Sequence, residues 1–308
     1  MAVSGGIPVV TGGAGFIGSS LVRALLQEGR PVRVVDDFST GRRENLPGGI
    51  ELLEGDVGRI APEAVRGADV VYHLAAIPSV PRSVERPLDT YRAGEEATLA
   101  LLEAAARAGV RRVVYASSSS VYGDTPELPK REDMPPRPLS PYAVTKLSGE
   151  LYARAWADRT RLETVSLRFF NVYGPRQDPD SPYAAVIPIF LRRLREGRPL
   201  PVYGDGNQTR DFTFVGDVVR GIILAGTVPG VSGRVYNLAG GRPVSVATLA
   251  ETLARLLGRR AEVEHLPPRP GDIRDSWADV AAARRDLGFA AATPIEEGLR
   301  VTVSWFLR

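Results

Sequence analysis

IPVVTGGAGFIGSSLVRALLQEGRPVRVVDD, residues 7 to 37, contains the argument for the fold. Residues 7 to 11 are a short β-branched run, 16 to 29 space their apolar residues as a helix does, and 31 to 36 return to a β-branched run, which reads as one β-α-β unit. The junction TGGAGFIG (11 to 18) places Gly12, Gly15 and Gly18 where strand turns into helix. Glycine lets the backbone turn tightly there and approach a pyrophosphate, which rests on the N–H groups that open the helix, here those of Phe16 and Ile17. By itself such a turn could be an ordinary strand-to-helix connection. Asp36 and Asp37, about 20 residues on at the end of the second strand, make it informative, because a carboxylate there accepts the ribose hydroxyls of a dinucleotide. It also repels a 2′-phosphate, and the following FSTG carries no cation, so NAD is the expected cofactor rather than NADP.

The same rhythm continues. Buried strands are predicted at 50 to 55, 68 to 76, 111 to 117 and 163 to 169, with long helices at 87 to 109 and 141 to 158. The fold class is α/β, a Rossmann-type doubly wound parallel sheet. After Gly174 the pattern breaks into Pro- and Gly-rich connections with helices near 186 to 196, 215 to 226, 245 to 257 and 295 to 307. Residues 1 to 174 are therefore read as the dinucleotide domain and 175 to 308 as mainly a smaller substrate lobe, with a strand at 234 to 240 returning to the first. A cleft between them is the expected ligand site.

With 308 residues, 44% of them hydrophobic, the chain can bury a large core. No run approaches the roughly 18 apolar residues of a membrane span, and no export segment is read, so a cytoplasmic protein without a membrane partner is expected. A net charge of +3 with scattered basic residues gives no nucleic-acid footprint. There is no cysteine, and His73 and His265 are the only histidines, so no thiolate chemistry and no metal site are expected. Lys130 and Lys146 are the only lysines beside 37 arginines, most of which suit solvated helix faces.

Lys146 belongs to SPYAVTK (140 to 146). Ser140 suits an N-cap and Pro141 the first helical position, which puts Tyr142 and Lys146 one turn apart on one helix face. A neighbouring ammonium favours phenolate, so the pair is expected to lower the Tyr142 pKa and let it exchange a proton with a substrate alcohol. Upstream, YASSSSVYGD (115 to 124) offers hydroxyls at a strand's carboxyl end, one of which could share that proton. His73 reads as a structural strand-end residue.

TGGAGFIG, VVDDFSTG, EGDV, HLAA, SSSSVYGD, SPYAVTK, LRFFNVYGPRQ, YAAVIP, VYGDGNQTRDF and RPGD occur in this order along the whole chain. Together they resemble the extended short-chain dehydrogenase/reductases, in particular nucleotide-sugar epimerases of the UDP-galactose 4-epimerase type. The resemblance implies cofactor contacts at Gly12, Gly15, Phe16, Ile17, Gly18, Asp36, Asp56, Val57, Leu74, Ala75, Ala76, Tyr142 and Lys146. It gives Ser118 to the reacting hydroxyl, Asn171 to the diphosphate, the backbone near Ile187 and the ring of Tyr203 to uracil, Arg210 and Arg269 to the diphosphate, and Asp272 to the uridine ribose. The activity so implied is inversion at C4 of a UDP-hexose or UDP-hexuronate through a 4-keto sugar: Tyr142, aided by Ser118, takes the 4-OH proton as hydride passes to NAD, and the keto sugar swings before the hydride returns. The two long helices resemble those through which relatives pair as homodimers.

Three matters stay open at this point. Lyase relatives carry acids just before the Val-Tyr of the serine loop, where this chain has Ser119 and Ser120, so a 4,6-dehydratase or UDP-glucuronate decarboxylase is the alternative, and a non-catalytic dinucleotide sensor a remoter one. A uronate substrate would need a cation in the sugar pocket, for which Arg192 and Arg82 are the candidates. Finally, Gly94 and Ala97 stand where relatives commonly carry Asn and Gly, so the interactions behind Lys146 are expected to be rearranged.

Overall fold

The computed structural model describes residues 6–178, 185–267 and 273–308. Seven strands form the central sheet: β1 Ile7–Thr11, β2 Val32–Asp36, β3 Ile50–Glu54, β4 Ala68–His73, β5 Arg112–Ser118, β6 Glu163–Phe169 and β7 Arg234–Leu238. Their spatial order is β7-β6-β5-β4-β1-β2-β3, and every pairing is parallel. The chain winds outward from β1 to β3, then returns to β4 on the other side of β1. That reversal opens a crevice at the carboxyl ends of β1 and β4, where open α/β sheets bind ligands.

Helices cover both faces, which is why the inner strands read as unbroken apolar runs. On one face α1, Phe16–Gln27, buries Leu21, Val22 and Leu25 completely against β1 and β2. Each such side chain contributes about 1.5–3 kcal/mol of burial. On the other face lie α2, Val57–Ala64, α3, Ala97–Ala108, and α4, Pro141–Arg159. The second half of the chain is shared between both regions. Helix α5, Val186–Glu196, packs with Val246–Leu256 and Ile295–Phe306 in a separate core. Helix α6, Val215–Thr227, and the short helix Ala281–Leu287 instead pack with the sheet's core, and β7 extends the sheet beside β6.

Two departures from expectation bear on the site. The helix expected over 87 to 109 is broken into Pro87–Tyr91, a π-helical turn Arg92–Glu96, and α3. A Cβ at Gly94, inside that turn, would stand 3.0 Å from Thr145 Oγ1 of α4, so the glycine lets the two helices approach. The sequence reading also passed over α2, whose N-cap is Asp56, accepting from Gly58 N–H at 2.8 Å, and which carries Pro62 inside it.

Candidate active site

The glycine turn after β1 has the conformation its residues require. Gly12 has φ +67°, and a Cβ on it would press on the Ala75 amide nitrogen at 2.8 Å; a Cβ on Gly18 would collide with the Gly12 carbonyl oxygen. Gly15 is the N-cap of α1 and brings no capping side chain, and no acidic residue lies in the first turn. The helix thus presents its N-terminus to the crevice, suited to an anion. At the end of β2, Asp36 accepts from Ala14 N–H at 2.8 Å and from Phe38 N–H at 2.9 Å. Burial raises its pKa and these two bonds oppose the rise. Of the nearby cations, Arg43 is paired with Glu54 and stacked over Phe38, and Arg42 is paired with Asp178 at 2.9 Å.

A cavity of about 790 Å³ opens here. Every cofactor residue expected from sequence lines it: Gly12, Gly15, Phe16, Ile17 and Gly18 from the turn, Asp36, Asp56 and Val57 at its far side, Leu74 to Ala76 after β4, and Tyr142 with Lys146. A turn that excludes side chains, a free helix N-terminus and a carboxylate at the second strand's end fit NAD. Among the described residues no cluster of His, Asp or Glu could hold a metal.

Tyr142 and Lys146 sit at one wall. Ser140 caps α4, accepting from Ala143 N–H at 3.2 Å, and Pro141 opens the helix as expected. Lys146 is buried; its Nζ donates to the Ala116 carbonyl at 2.7 Å and lies 5.8 Å from the Tyr142 ring centroid. Ser118, whose side chain accepts from Ser120 N–H at 3.2 Å, acts on the Tyr142 phenol to lower its pKa. One expectation is corrected: burial raises the Tyr142 pKa, and the opposing influence is Ser118, not Lys146. The reason is that the lysine's ammonium is held on Ala116 rather than on the phenol oxygen, while its own pKa falls to about 8 through burial, Glu150 working against that fall.

Behind the pair, Glu150 on α4 receives a bidentate bond from Arg168 of β6, 2.9 and 2.7 Å, and a bond from Ser117 Oγ. This buried ion pair fixes α4 to the strands that carry the serine loop. His73 is buried and neutral, its pKa pushed down to about 3 by burial and secondly by Lys146. It lies 2.7 Å from Thr11 Oγ1 and 2.9 Å from Thr98 Oγ1, and Thr98 donates on to the Gly94 carbonyl. It is structural, as read.

The expected nucleotide-sugar residues are spread more widely. Asn171 is exposed just beyond β6 with φ +22°. Ile187 is buried in the core of the second half, but Ala185, the N-cap of its helix, lines the cavity. Tyr203 ends the strand Leu200–Tyr203, and Arg210 donates to the carbonyls of Thr209 and Arg274 at 2.8 and 3.0 Å. Neither these two, nor Asn171, Ile187, Ser118 or Arg192, is among the residues lining the dinucleotide cavity, whereas Arg82 is. Arg269 and Asp272 lie outside the described residues. The lining also includes Arg23, Arg42, Arg176, Gln177, Asp178 and Trp305, which the sequence reading did not assign. Arg176 and Gln177 stand in the quoted LRFFNVYGPRQ and could have been noticed there; Arg23 looks like any exposed helical arginine.

Residues 9–239 match the family model described as NAD dependent epimerase/dehydratase family. The chain is 40% identical to the UDP-glucose 4-epimerase of Mycolicibacterium smegmatis, over 97% of each chain. Among solved structures it superposes on the UDP-N-acetylglucosamine 4-epimerase of Methanobrevibacter ruminantium M1, in complex with UDP-N-acetylmuramic acid, with TM-score 0.94, 38% identity and 99% coverage of both chains. It superposes on MoeE5, in complex with UDP-glucose and NAD, with TM-score 0.90 and 42% identity, covering 98% of this chain and 99% of that one. Relatives named dTDP-glucose 4,6-dehydratase and UDP-N-acetyl-alpha-D-glucosaminuronate decarboxylase are similar too, at 36% and 34% identity.

Proposed function

The chain belongs to the NAD dependent epimerase/dehydratase family, and from that premise we propose that it is a UDP-sugar 4-epimerase, acting as a cytoplasmic homodimer. The observation that carries this reading is that Tyr142 and Lys146 share one cavity with the glycine turn and Asp36, with Ser119 and Ser120, not acids, following β5. NAD supplies a hydride acceptor and donor for the sugar's C4. Tyr142 takes the proton of the 4-OH as the C–H bond breaks, and Ser118 holds the same oxygen, so the hydroxyl is oriented and its charge shared. Lys146, held on the Ala116 carbonyl and lining the same cavity, is placed to hydrogen-bond the cofactor ribose. When the keto sugar has presented its other face, Tyr142 returns the proton and the inverted alcohol forms. The two positions before Val121 hold Ser119 and Ser120, and a serine hydroxyl there does not supply the carboxylate that would abstract the second proton elimination requires.

Asn171, the backbone near Ile187, Tyr203, Arg210, Arg269 and Asp272 are proposed to hold the UDP portion. Arg forks suit a diphosphate and an aromatic face suits a base. UDP-glucose and UDP-glucuronate both remain candidate substrates, and Arg82, on the cavity wall, is better placed than Arg192 to meet a carboxylate. The lyase reading is the second one, and the relatives named as dehydratase and decarboxylase favour keeping it. Incubating the purified protein with a panel of UDP-sugars and following products by proton NMR tests the proposal. C4 epimers support it; a 4-keto-6-deoxy sugar or a pentose sinks it.

A further inference from the structure

Among the described residues, two cations in the dinucleotide cavity are answered by no carboxylate. Arg23 of α1 and Arg176, in the turn after β6, both line it. Arg176 Nη2 donates to Ser20 Oγ at 3.0 Å, and Ser20 Oγ donates to the Phe16 carbonyl at 3.0 Å, so this guanidinium rests one turn from the start of α1. Arg23 lies a further turn along and donates to the Asn45 carbonyl at 3.0 Å. Among the described residues neither forms an ion pair; Asp178, two residues from Arg176, pairs with Arg42 at 2.9 Å.

This arrangement costs the folded protein free energy in three ways. Burial, and then the neighbouring Arg23, push the Arg176 pKa down, a sign of like charges held together. The Nε donors of both arginines are buried without an acceptor. Arg176 also takes a left-handed backbone conformation, φ +70°, which a non-glycine residue adopts only where its surroundings require it. Gln177 secures the turn by donating to the Val172 carbonyl at 3.3 Å. Such costs persist where a ligand offsets them, and the ligand these groups call for is an anion in reach of α1.

We propose that Arg176, supported by Arg23, clamps the diphosphate of NAD, adding charged donors to the uncapped N-terminus of α1. The inference rests on the dinucleotide site described above. The other diphosphate of this reaction is that of the sugar nucleotide, but both arginines flank the helix whose N-terminus faces the glycine turn, which assigns them to the cofactor.

The test is calorimetric titration of cofactor-stripped protein with ADP-ribose, adenosine and UDP. For R176Q the affinity for ADP-ribose falls about ten- to a hundredfold, the loss of one charge-assisted contact, and its salt dependence flattens. Adenosine and UDP change less than twofold. R176K gives an intermediate loss, and R23Q, which removes the supporting charge while leaving the Arg176 turn intact, a smaller one. The proposal is overturned if ADP-ribose affinity is unchanged, if adenosine weakens equally, or if UDP alone weakens. Should R176Q not fold, R23Q decides by the same criteria. Failure of wild-type protein to bind adenosine or ADP-ribose would fault the dinucleotide site itself, a different result from any of these.

Discussion

At the scale of single residues, the proposed chemistry rests on a tyrosine whose surroundings do not charge it in advance. Burial raises the Tyr142 pKa, and the influence that opposes the rise is Ser118. Tyr142→Phe removes only the proton-transfer group, and turnover should fall by about 10²–10⁴ while NADH and UDP affinities hold within about twofold. Stopped assays with paired titrations check this, and activity within tenfold of wild type would remove Tyr142 from its role. His73 yields a second prediction. Thr11 Oγ1 accepts from the amides of Leu74 and Ala75, so its proton points at Nδ1, and the imidazole donates from Nε2 to Thr98. Its folded pKa, about 3, lies below the ordinary 6.5. The unfolded chain therefore binds the extra proton between these values, and stability present above pH 6.5 is lost as pH falls toward 3, at up to about 1.4 kcal/mol per pH unit. Denaturation midpoints of wild type and His73→Gln, compared from pH 7 to 4, should diverge in slope; parallel curves would show that His73 does not stay neutral. The pair Tyr142 and Lys146, the glycines and Asp36 were legible in the sequence because each carries chemistry in its spacing. The sign of the Tyr142 shift was not, since it depends on where Lys146 spends its hydrogen bond.

Among elements, the meeting of α4 with the π-helical turn Arg92–Glu96 decides how the catalytic pair is presented. Thr145, between Tyr142 and Lys146, occupies the space beside Gly94 and donates to the Tyr142 carbonyl at 2.9 Å. Gly94→Ala gains about 1 kcal/mol of helix propensity but forces a methyl group against Thr145, and overpacking of this kind costs about 1–3 kcal/mol. A net loss of stability and of turnover is expected, and Thr145→Ala in the same chain, which removes the Oγ1 that a Cβ at residue 94 would meet at 3.0 Å, should recover part of both. A double-mutant cycle measures it; additive effects would mean the two helices do not constrain one another here. The sequence showed Gly94 as a departure from the pattern of relatives without showing its cause, because a π-turn has no periodicity of its own. Helix α2 escaped for a similar reason: it is one short amphipathic stretch interrupted by Pro62. The strands were legible almost to the residue, since a sheet covered on both faces demands continuous apolar runs.

Over the whole molecule, the reversal of strand order beside β1 places the cofactor crevice, and the second half of the chain supplies the wall opposite it through Ala185 and Trp305. The strand expected at 234 to 240 does return to the central sheet as β7, and helix α6, expected in the second lobe, packs with the sheet's core as well. Such a return leaves only a faint trace in sequence, a β-branched run among shorter helices. The helices around the catalytic face leave Val84, Leu88, Tyr91, Val144 and Leu151 exposed, a set of apolar side chains that supports pairing of two copies through these helices. Light scattering at micromolar concentration should return twice the 33.2 kDa chain mass, and Leu88→Glu with Leu151→Glu should halve it; a monomer in the unaltered protein would refute the pairing. The central claim, C4 inversion by one face-to-face return of the same hydrogen, is tested most directly with UDP-glucose deuterated at C4. The account predicts UDP-galactose with the deuterium still at C4, formed without added reductant and without exchange into solvent. Deuterium transferred to C6 of a deoxy sugar, or washed into water, would contradict it.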